Sequence, residues 1–571
     1  MGLINIFELF KQCFMPANQL KKSSFLFLLG LVICLNFTGL FNEIMEPDGT
    51  IYAALARQIA KSGNWLFLWV NGIDWLDKPH LPFWLAAISF KIFGYTAFAY
   101  KLPSFILFMV SLFYCYRLAA VIYTKETARL ATLIYGTALH TIISNFDGKA
   151  EIYLTAFVLA AMYHLYRAFE SKWLWHIVAA ALFAACAAMT KGIFALITIG
   201  AGFAIYWMRT RQWKEFINLK WYLFVLLTFI FILPELYSLY LQFDLRPEII
   251  VYGKTHVSGL RFFFWDSQFG RFFNNGPITG KGDLSFFLHT TLWAFIPWSI
   301  ILILAVIGFF RKQKPSEPAL QRWIIGGSAL FSFMMFTVSK FQLPHYIVIL
   351  FPHFAMMTAA YLLEGASEKT LKRINIFQTI LFVLVIVMIT GIIIIYSFNG
   401  AMWFLTLLAI IAGVTFFYRT DNALLKVAKK NIGFALAVSV FLNCLFYPAL
   451  LQYQAGMMAG KWLSQQTVKP QVTLYKCLST SFDFYYNGKT DYSNPDSTAI
   501  NSLASGDSIY LFSAVHDLED INTDSVKLTS LKTFPYFHVS QVNSTFINHK
   551  TRKNVLDTFA ITLVTRKDHL K

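Results

Sequence analysis

The chain has 571 residues, 57% hydrophobic and only 14% charged, with a formal net charge of +18. A soluble domain sits nearer half apolar and a quarter charged, so composition excludes one and predicts a polytopic α-helical membrane protein. The positive excess does not point to nucleic acid. Lys and Arg fall in short clusters between apolar runs, as topology signals and contacts to anionic membrane lipids do.

Residues 1–23 set Ile4, Phe7, Phe10 and Phe14 against Glu8, Lys11 and Gln12, without a basic start, apolar run and small-residue cleavage site. They predict a cytoplasmic interfacial helix rather than a removable signal peptide. At about 20 apolar residues per crossing the rest divides into about thirteen spans. These are 24–42, 102–123, 127–145, 150–168, 172–190, 192–208, 221–240, 286–310, 323–339, 344–363, 374–397, 401–418 and 432–451. Lys21-Lys22, Arg209/Arg211/Lys214, Arg311-Lys312/Lys314, Lys369/Lys372-Arg373 and Arg419/Lys426/Lys429-Lys430 all fall on one side when the spans alternate. That side is expected to be the cytoplasm. Residues 24–452 thus form the membrane domain, with its N-terminus inside and loops 43–101 and 241–285 outside. The tail, 453–571, turns polar and carries β-rich runs such as Val472-Thr-Leu-Tyr and Ser508-Ile-Tyr-Leu-Phe beside the helix-like Asp517–Ile521. It predicts a small extracytoplasmic α/β domain. The six cysteines are scattered without a CxxC pair or disulfide framework.

The polar clusters of interest all fall on the outer side. The first loop holds Glu46, Asp48, Tyr52, Asp77 and Lys78; Asp147 and Glu151 open the fourth span; Lys191 ends the fifth. The second long loop adds Arg271, and Lys340, His345 and Tyr346 complete the set. Acids and bases converging at helix ends on one face define a candidate pocket. Each has a plainer reading: Glu46 and Asp48 as acids at a helix start, and Lys78, Lys191 and Lys340 as lysines snorkelling to the interface. His80, His256, His289 and His345 lack metal-ligand spacing, so no metal or other cofactor is expected.

Glu46-Pro-Asp48…Tyr52-Ala, Asn71-Gly…Asp77-Lys-Pro…Leu81-Pro-Phe-Trp84, Phe93-Gly94 and Leu102-Pro-Ser104 follow one another in a telling order. It resembles the family of protein O-mannosyltransferases and lipid A aminoarabinose transferases. These are GT-C glycosyltransferases that take sugar from a polyprenyl phosphate. The resemblance continues through Asp147…Glu151, Thr190-Lys-Gly192, Gly270-Arg-Phe272, Ile296-Pro-Trp298 and Ser339-Lys…Leu343-Pro-His-Tyr346. It implies a GT-C-like membrane domain with Asp48 as first catalytic acid, and Glu151 or Asp147 as second. Lys78 and Arg271, with Lys191 and Lys340, would hold the donor phosphate, and Glu46, Tyr52, Asp77, His345 and Tyr346 the substrates. The implied reaction is a single inverting displacement, at the inner (plasma) membrane, that passes sugar to an envelope glycan, lipid A or exported protein. Bacterial relatives usually keep Arg where Ile51 stands, and often Glu where Asp77 stands; the loss of that Arg predicts a neutral sugar donor rather than aminoarabinose. The alternative is a transporter or flippase for lipid-linked sugars, which would place ionisable groups near the bilayer midplane on repeated broken helices.

Overall fold

The computed structural model describes residues 22–567 apart from 171–173, 312–316, 418–422, 494, 497–499, 501–507 and 525. The interfacial helix expected over residues 1–23 therefore lies almost wholly outside the described residues. Among the described residues eight helices are long and apolar enough to cross a membrane, and four shorter apolar helices accompany them. The chain is a multi-span membrane protein.

Helix α1 (Lys22–Phe37) leads into a loop that carries α2 (Asp48–Ser62), the short hairpin β1–β2 (Trp69–Val70, Ile73–Asp74) and α3 (Leu81–Phe93). Helix α4 (Ala97–Ile122) starts where the Thr96 hydroxyl accepts from Ala99 N, satisfying one of the donors a helix start leaves open. Lys101, fully buried in α4, donates to the carbonyls of Gly39, Asn42 and Glu43 at 2.9–3.2 Å. A lysine in an apolar span is costly, and here its charge satisfies carbonyls of the turn that follows α1.

Two expected spans are broken. The run 127–145 folds as α5 (Lys125–Thr137) and α6 (Leu139–Asp147), with Ala138 extended between them. The run 286–310 folds as Phe286–Ala294 and Ser299–Phe310, interrupted at Pro297, which has no N–H to continue the ladder. The breaks interlock: Leu139 N donates to Ile296 O at 2.9 Å, and Trp298 Nε1 donates to Thr137 Oγ1 at 3.0 Å. Backbone freed from helices inside a bundle is thereby satisfied within the protein.

Next come α7 (Ala150–Glu170), α8 (Leu174–Lys191), α9 (Phe194–Arg209) and α10 (Leu219–Leu239). Further on, α11 (Ser299–Phe310), α12 (Trp323–Val338) and the apolar run Pro344–Gly365 (α13) complete the elements that shape the site.

After residue 453 a five-stranded mixed sheet has the order β4-β3-β5-β7-β6, formed by Val472–Leu474 (β3), Thr490–Asp491 (β4), Ile509–Ala514 (β5), Val526–Tyr536 (β6) and Asp557–Arg566 (β7). Strand β3 runs parallel to β4 and β5, whereas β7 is antiparallel to β5 and β6. Leu474, Phe482, Phe512 and Ile561 fill its core. This domain grips the loop after α1. Gln454 Oε1 accepts from Glu46 N at 2.7 Å, and its Nε2 donates to Ile44 O at 3.0 Å. Thr50 and Thr480 hydroxyls meet at 2.8 Å, and Arg57 donates to the carbonyls of Asp483 and Tyr486.

Candidate active site

The sequence turns sharply between α6 and α7, where Gly148 adopts φ +65°, a left-handed conformation that glycine takes without penalty. This turn sets Asp147, Lys149 and Glu151 at adjoining helix ends. Gly49, in the first turn of α2, has a second purpose. A Cβ there would lie 2.9 Å from Ile44 Cγ2 and 3.1 Å from Asp147 Oδ1, so glycine lets the Asp147 turn approach the helix that carries Asp48.

The result is a cavity of about 440 Å³ at one end of the bundle, bordered by Asp48, Tyr52, Asp77, Lys78, Glu151, Lys191, Arg271, His345 and Tyr346. Nine of the residues singled out from sequence thus meet, from six separate segments. Asp147 does not line the cavity; it sits behind Lys149, whose Nζ lies 2.7 Å from Asp147 and 3.4 Å from Asp48. Between the two acids that sequence reasoning left open, Glu151 therefore faces the space. Glu46 lies apart, bonded by Ser481 of the C-terminal domain. Burial raises its pKa, with Ser481 and His538 opposing. Lys340 also lies outside, with its backbone N–H donating to Phe272 O at 3.1 Å. Ile51, expected to reshape the donor contacts, instead packs into the apolar cluster of α2 and α3.

Charge is arranged in pairs. Asp77 bridges Lys78, at 2.6 Å, and Arg271. Burial alone would raise the Asp77 pKa, but Lys78 and Arg271 outweigh it and the carboxyl is held below its usual range. Burial lowers Lys78, Asp77 opposing and Arg271 reinforcing. In Arg271 and Lys149 burial is overcome by the facing carboxylates, Asp77 for the first and Asp147 with Asp48 for the second, and both pKa values are raised. Burial, with Asp48 and Asp77 nearby, keeps Tyr52 a neutral hydroxyl far above its ordinary value. Deeper in, Glu151 pairs with Lys191 and lies 3.5 Å from His345 Nε2, while Lys191 Nζ sits 3.8 Å over the Tyr346 ring.

An apolar cavity adjoins this one. It shares Asp77, Lys78, Glu151, Lys191, Arg271, Phe341 and Tyr346, then continues between Phe194, Phe287, Met335 and Phe336. Cations thus stand at the head of a hydrophobic channel.

Sequence reasoning assigned no role to two groups. Lys149 lies between Asp147 and Glu151, and its position alone was a usable signal. Glu235 is fully buried in α10 and accepts from His80 N and Nδ1, both at 3.0 Å, two residues beyond Lys78. It fixes the Asp77-Lys-Pro-His turn to the bundle, and nothing local in its apolar run marks that role. Among the described residues no group of three or more His, Cys, Asp or Glu side chains could hold a metal ion.

Comparison with known proteins adds to the geometry. The family described as dolichyl-phosphate-mannose-protein mannosyltransferase matches residues 77–237. An uncharacterized protein of Aquifex aeolicus is 24% identical over 462 residues, 80% of this chain and 85% of its own. An undecaprenyl phosphate-alpha-4-amino-4-deoxy-L-arabinose arabinosyl transferase of Proteus mirabilis is 24% identical over 341 residues, 58% of each chain. The crystal structure of ArnT from Cupriavidus metallidurans bound to undecaprenyl phosphate matches with a TM-score of 0.71 at 16% identity, over 94% of this chain and 97% of that one. That likeness establishes the fold, the sequence relatives are glycosyltransferases where they are named, and none of these matches favours a transporter. By motif, relatives and fold together, the chain is similar to the GT-C membrane glycosyltransferases.

Proposed function

We propose that the protein transfers a sugar from a polyprenyl-phosphate donor to a cell-envelope acceptor (lipid A, a glycan or an exported protein) on the outer face of the inner membrane. The observation that carries this reading is the junction of the two cavities: Lys78, Lys191 and Arg271 stand where an apolar channel meets a polar one. A prenyl tail would occupy the channel while its phosphate faces the cations. The leaving group is a phosphate anion, so it needs positive charge rather than a general acid. Lys78 and Arg271 stabilise the charge that develops on it, the guanidinium fork suiting phosphate oxygens. Asp48, across the polar cavity, would take the proton of a hydroxyl acceptor; a phosphate acceptor is already ionised, and Asp48 then orients it. The cluster of basic residues at the far helix ends supports a cytoplasmic assignment for that end and an outer one for the site.

For the donor sugar we favour a neutral one. A cationic amine calls for an uncompensated acid, and the cavity carboxylates have cations beside them: Asp77 has Lys78 and Arg271, Glu151 has Lys191, Asp48 shares Lys149 with Asp147, and Asp74 has Arg246 at 3.5 Å. An aminoarabinose donor is the second reading, favoured by the name of the Proteus mirabilis relative. Purified protein incubated with radiolabelled undecaprenyl-phosphate sugars and envelope acceptors tests transfer itself; label confined to the donor in every combination would reject it. Mass spectrometry of lipid A from a deletion strain separates the sugars, since loss of an aminoarabinose increment alone would favour the second.

The same cations predict a pH dependence. Because burial lowers the Lys78 pKa, its charge is lost as pH rises through a value below that of an ordinary lysine. The expected result is a fall in kcat/KM for the donor on the alkaline side, a limb that reports the free enzyme. In Lys78→Arg, whose guanidinium stays charged, that fall should move to higher pH. An alkaline limb unmoved by the substitution would assign it elsewhere.

A further inference from the structure

At the opposite end of the bundle lies a second cavity, of about 600 Å³, with a different character. Arg209 ends α9, whose first residue, Phe194, borders the apolar channel; sixteen helical residues place the two ends about 24 Å apart. Glu364 likewise falls near the end of α13, which begins beside His345. Around the cavity stand Arg209, Arg311 and Arg322 with Glu364 as the acid. Arg322 pairs with Glu364 and stacks over Tyr123 at 5.1 Å, but its Nε is buried with no acceptor among the described residues. Arg209 lies over the Trp323 ring at 4.1 Å, and among the described residues neither it nor Arg311 has a carboxylate partner. Three guanidinium groups thus face one acid across an open space.

This cavity runs into a groove of about 440 Å³ through the shared residues Phe309, Phe310 and Met357. The groove follows α11 and α12 past Leu302, Val306, Leu330 and Phe333, and only Thr291 and Ser299 bring a polar side chain to it. A soluble anion would use the arginines and leave the groove without purpose. A lipid with an anionic headgroup uses both.

We propose that this is a binding site for an anionic phospholipid, its phosphate held by Arg209, Arg311 and Arg322 and an acyl chain laid in the α11–α12 groove. The occupant is chosen by charge complementarity together with the continuous apolar path. On the orientation proposed above it is a lipid of the cytoplasmic leaflet, whose surface is negative; the site itself does not depend on the transfer reaction. It would fasten together the far ends of α9 and α13, two of the helices whose near ends border the sugar-transfer cavity.

The test is native mass spectrometry of the purified full-length protein after exchange with phosphatidylglycerol or phosphatidylcholine in detergent. Wild type should retain phosphatidylglycerol about tenfold or more over phosphatidylcholine, the size expected from charge-assisted contacts. Arg209→Gln/Arg311→Gln should reduce that ratio to near one. Both residues are exposed, so the variant should fold even if Arg322→Gln does not. Ile303→Trp, which fills the groove, should lower retention of both lipids. Lys78→Ala should leave the ratio unchanged. Equal retention in wild type, an unchanged ratio in the double arginine variant, or loss of the ratio in Lys78→Ala would each overturn the proposal. So would displacement by millimolar inorganic phosphate alone, which would mark a site for a soluble anion.

Discussion

Asp48→Asn is expected to lower transfer to a hydroxyl acceptor by about two to four orders of magnitude, the range for removing a general base. Stability should barely move. The Asp48 side chain is 48% exposed, and its only described ion pair is the 3.4 Å contact with Lys149, so a surface change within about 0.5 kcal/mol is the expectation. The isostere removes charge and basicity but little volume, and Tyr52 and Lys149 stay in place. Kinetics at saturating donor, with a melting curve on the same preparation, measure both quantities. Near-wild-type transfer in a folded variant would reduce Asp48 to a residue that starts α2.

Glu151→Ala is expected to do the reverse, with stability leading. Its side chain is 3% exposed, lies beside His345 and is paired with Lys191, which sits over the Tyr346 ring. Removing one member of a buried pair strands the other, at a cost of about 3–5 kcal/mol. Lys191 would then share the cavity with Lys78, Lys149 and Arg271 and one carboxylate fewer. Glu151→Ala/Lys191→Met should recover much of the loss, because the buried charges leave together. Differential scanning fluorimetry in detergent reads both variants. A single variant as stable as wild type, or a double variant no better than the single, would show that the pair contributes little to the fold.

The difference between those two acids was only partly legible in the sequence. Helix ends and polarity brought Asp48, Lys78, Glu151, Lys191, Arg271, His345 and Tyr346 to one face, because a residue at the end of an apolar run has few places to go. Their division of labour was not legible. Asp77 looks like another acid in the loop, and only the fold shows it clasping two cations at once. Asp147 and Glu151, four residues apart, separate only when the Gly148 turn is seen to aim one at Lys149 and the other into the cavity. The broken spans escaped for a related reason. Hydropathy counts apolar residues through 127–145 and 286–310, whereas the interruption at Ala138 is stabilised by a partner, Ile296, more than 150 positions away. Glu46 and Lys340 shared the polarity of their neighbours but not their direction.

The grip of the C-terminal domain on the loop after α1 has a consequence for how the enzyme comes into being. Ile44 N reaches Tyr485, Glu46 N reaches Gln454 and Thr50 reaches Thr480, across separations of 408 to 441 residues. A chain made from its N-terminus builds its membrane helices first. The segment bearing Asp48 is synthesised among the earliest parts, yet its fastenings come from Gln454, Thr480 and Tyr485, which follow the membrane helices in the chain. A partly synthesised chain already embedded in the bilayer would hold Lys78, Lys191 and Arg271 while the segment bearing Asp48 was still unfastened, so the cavity is completed only once residues 454–485 have been made.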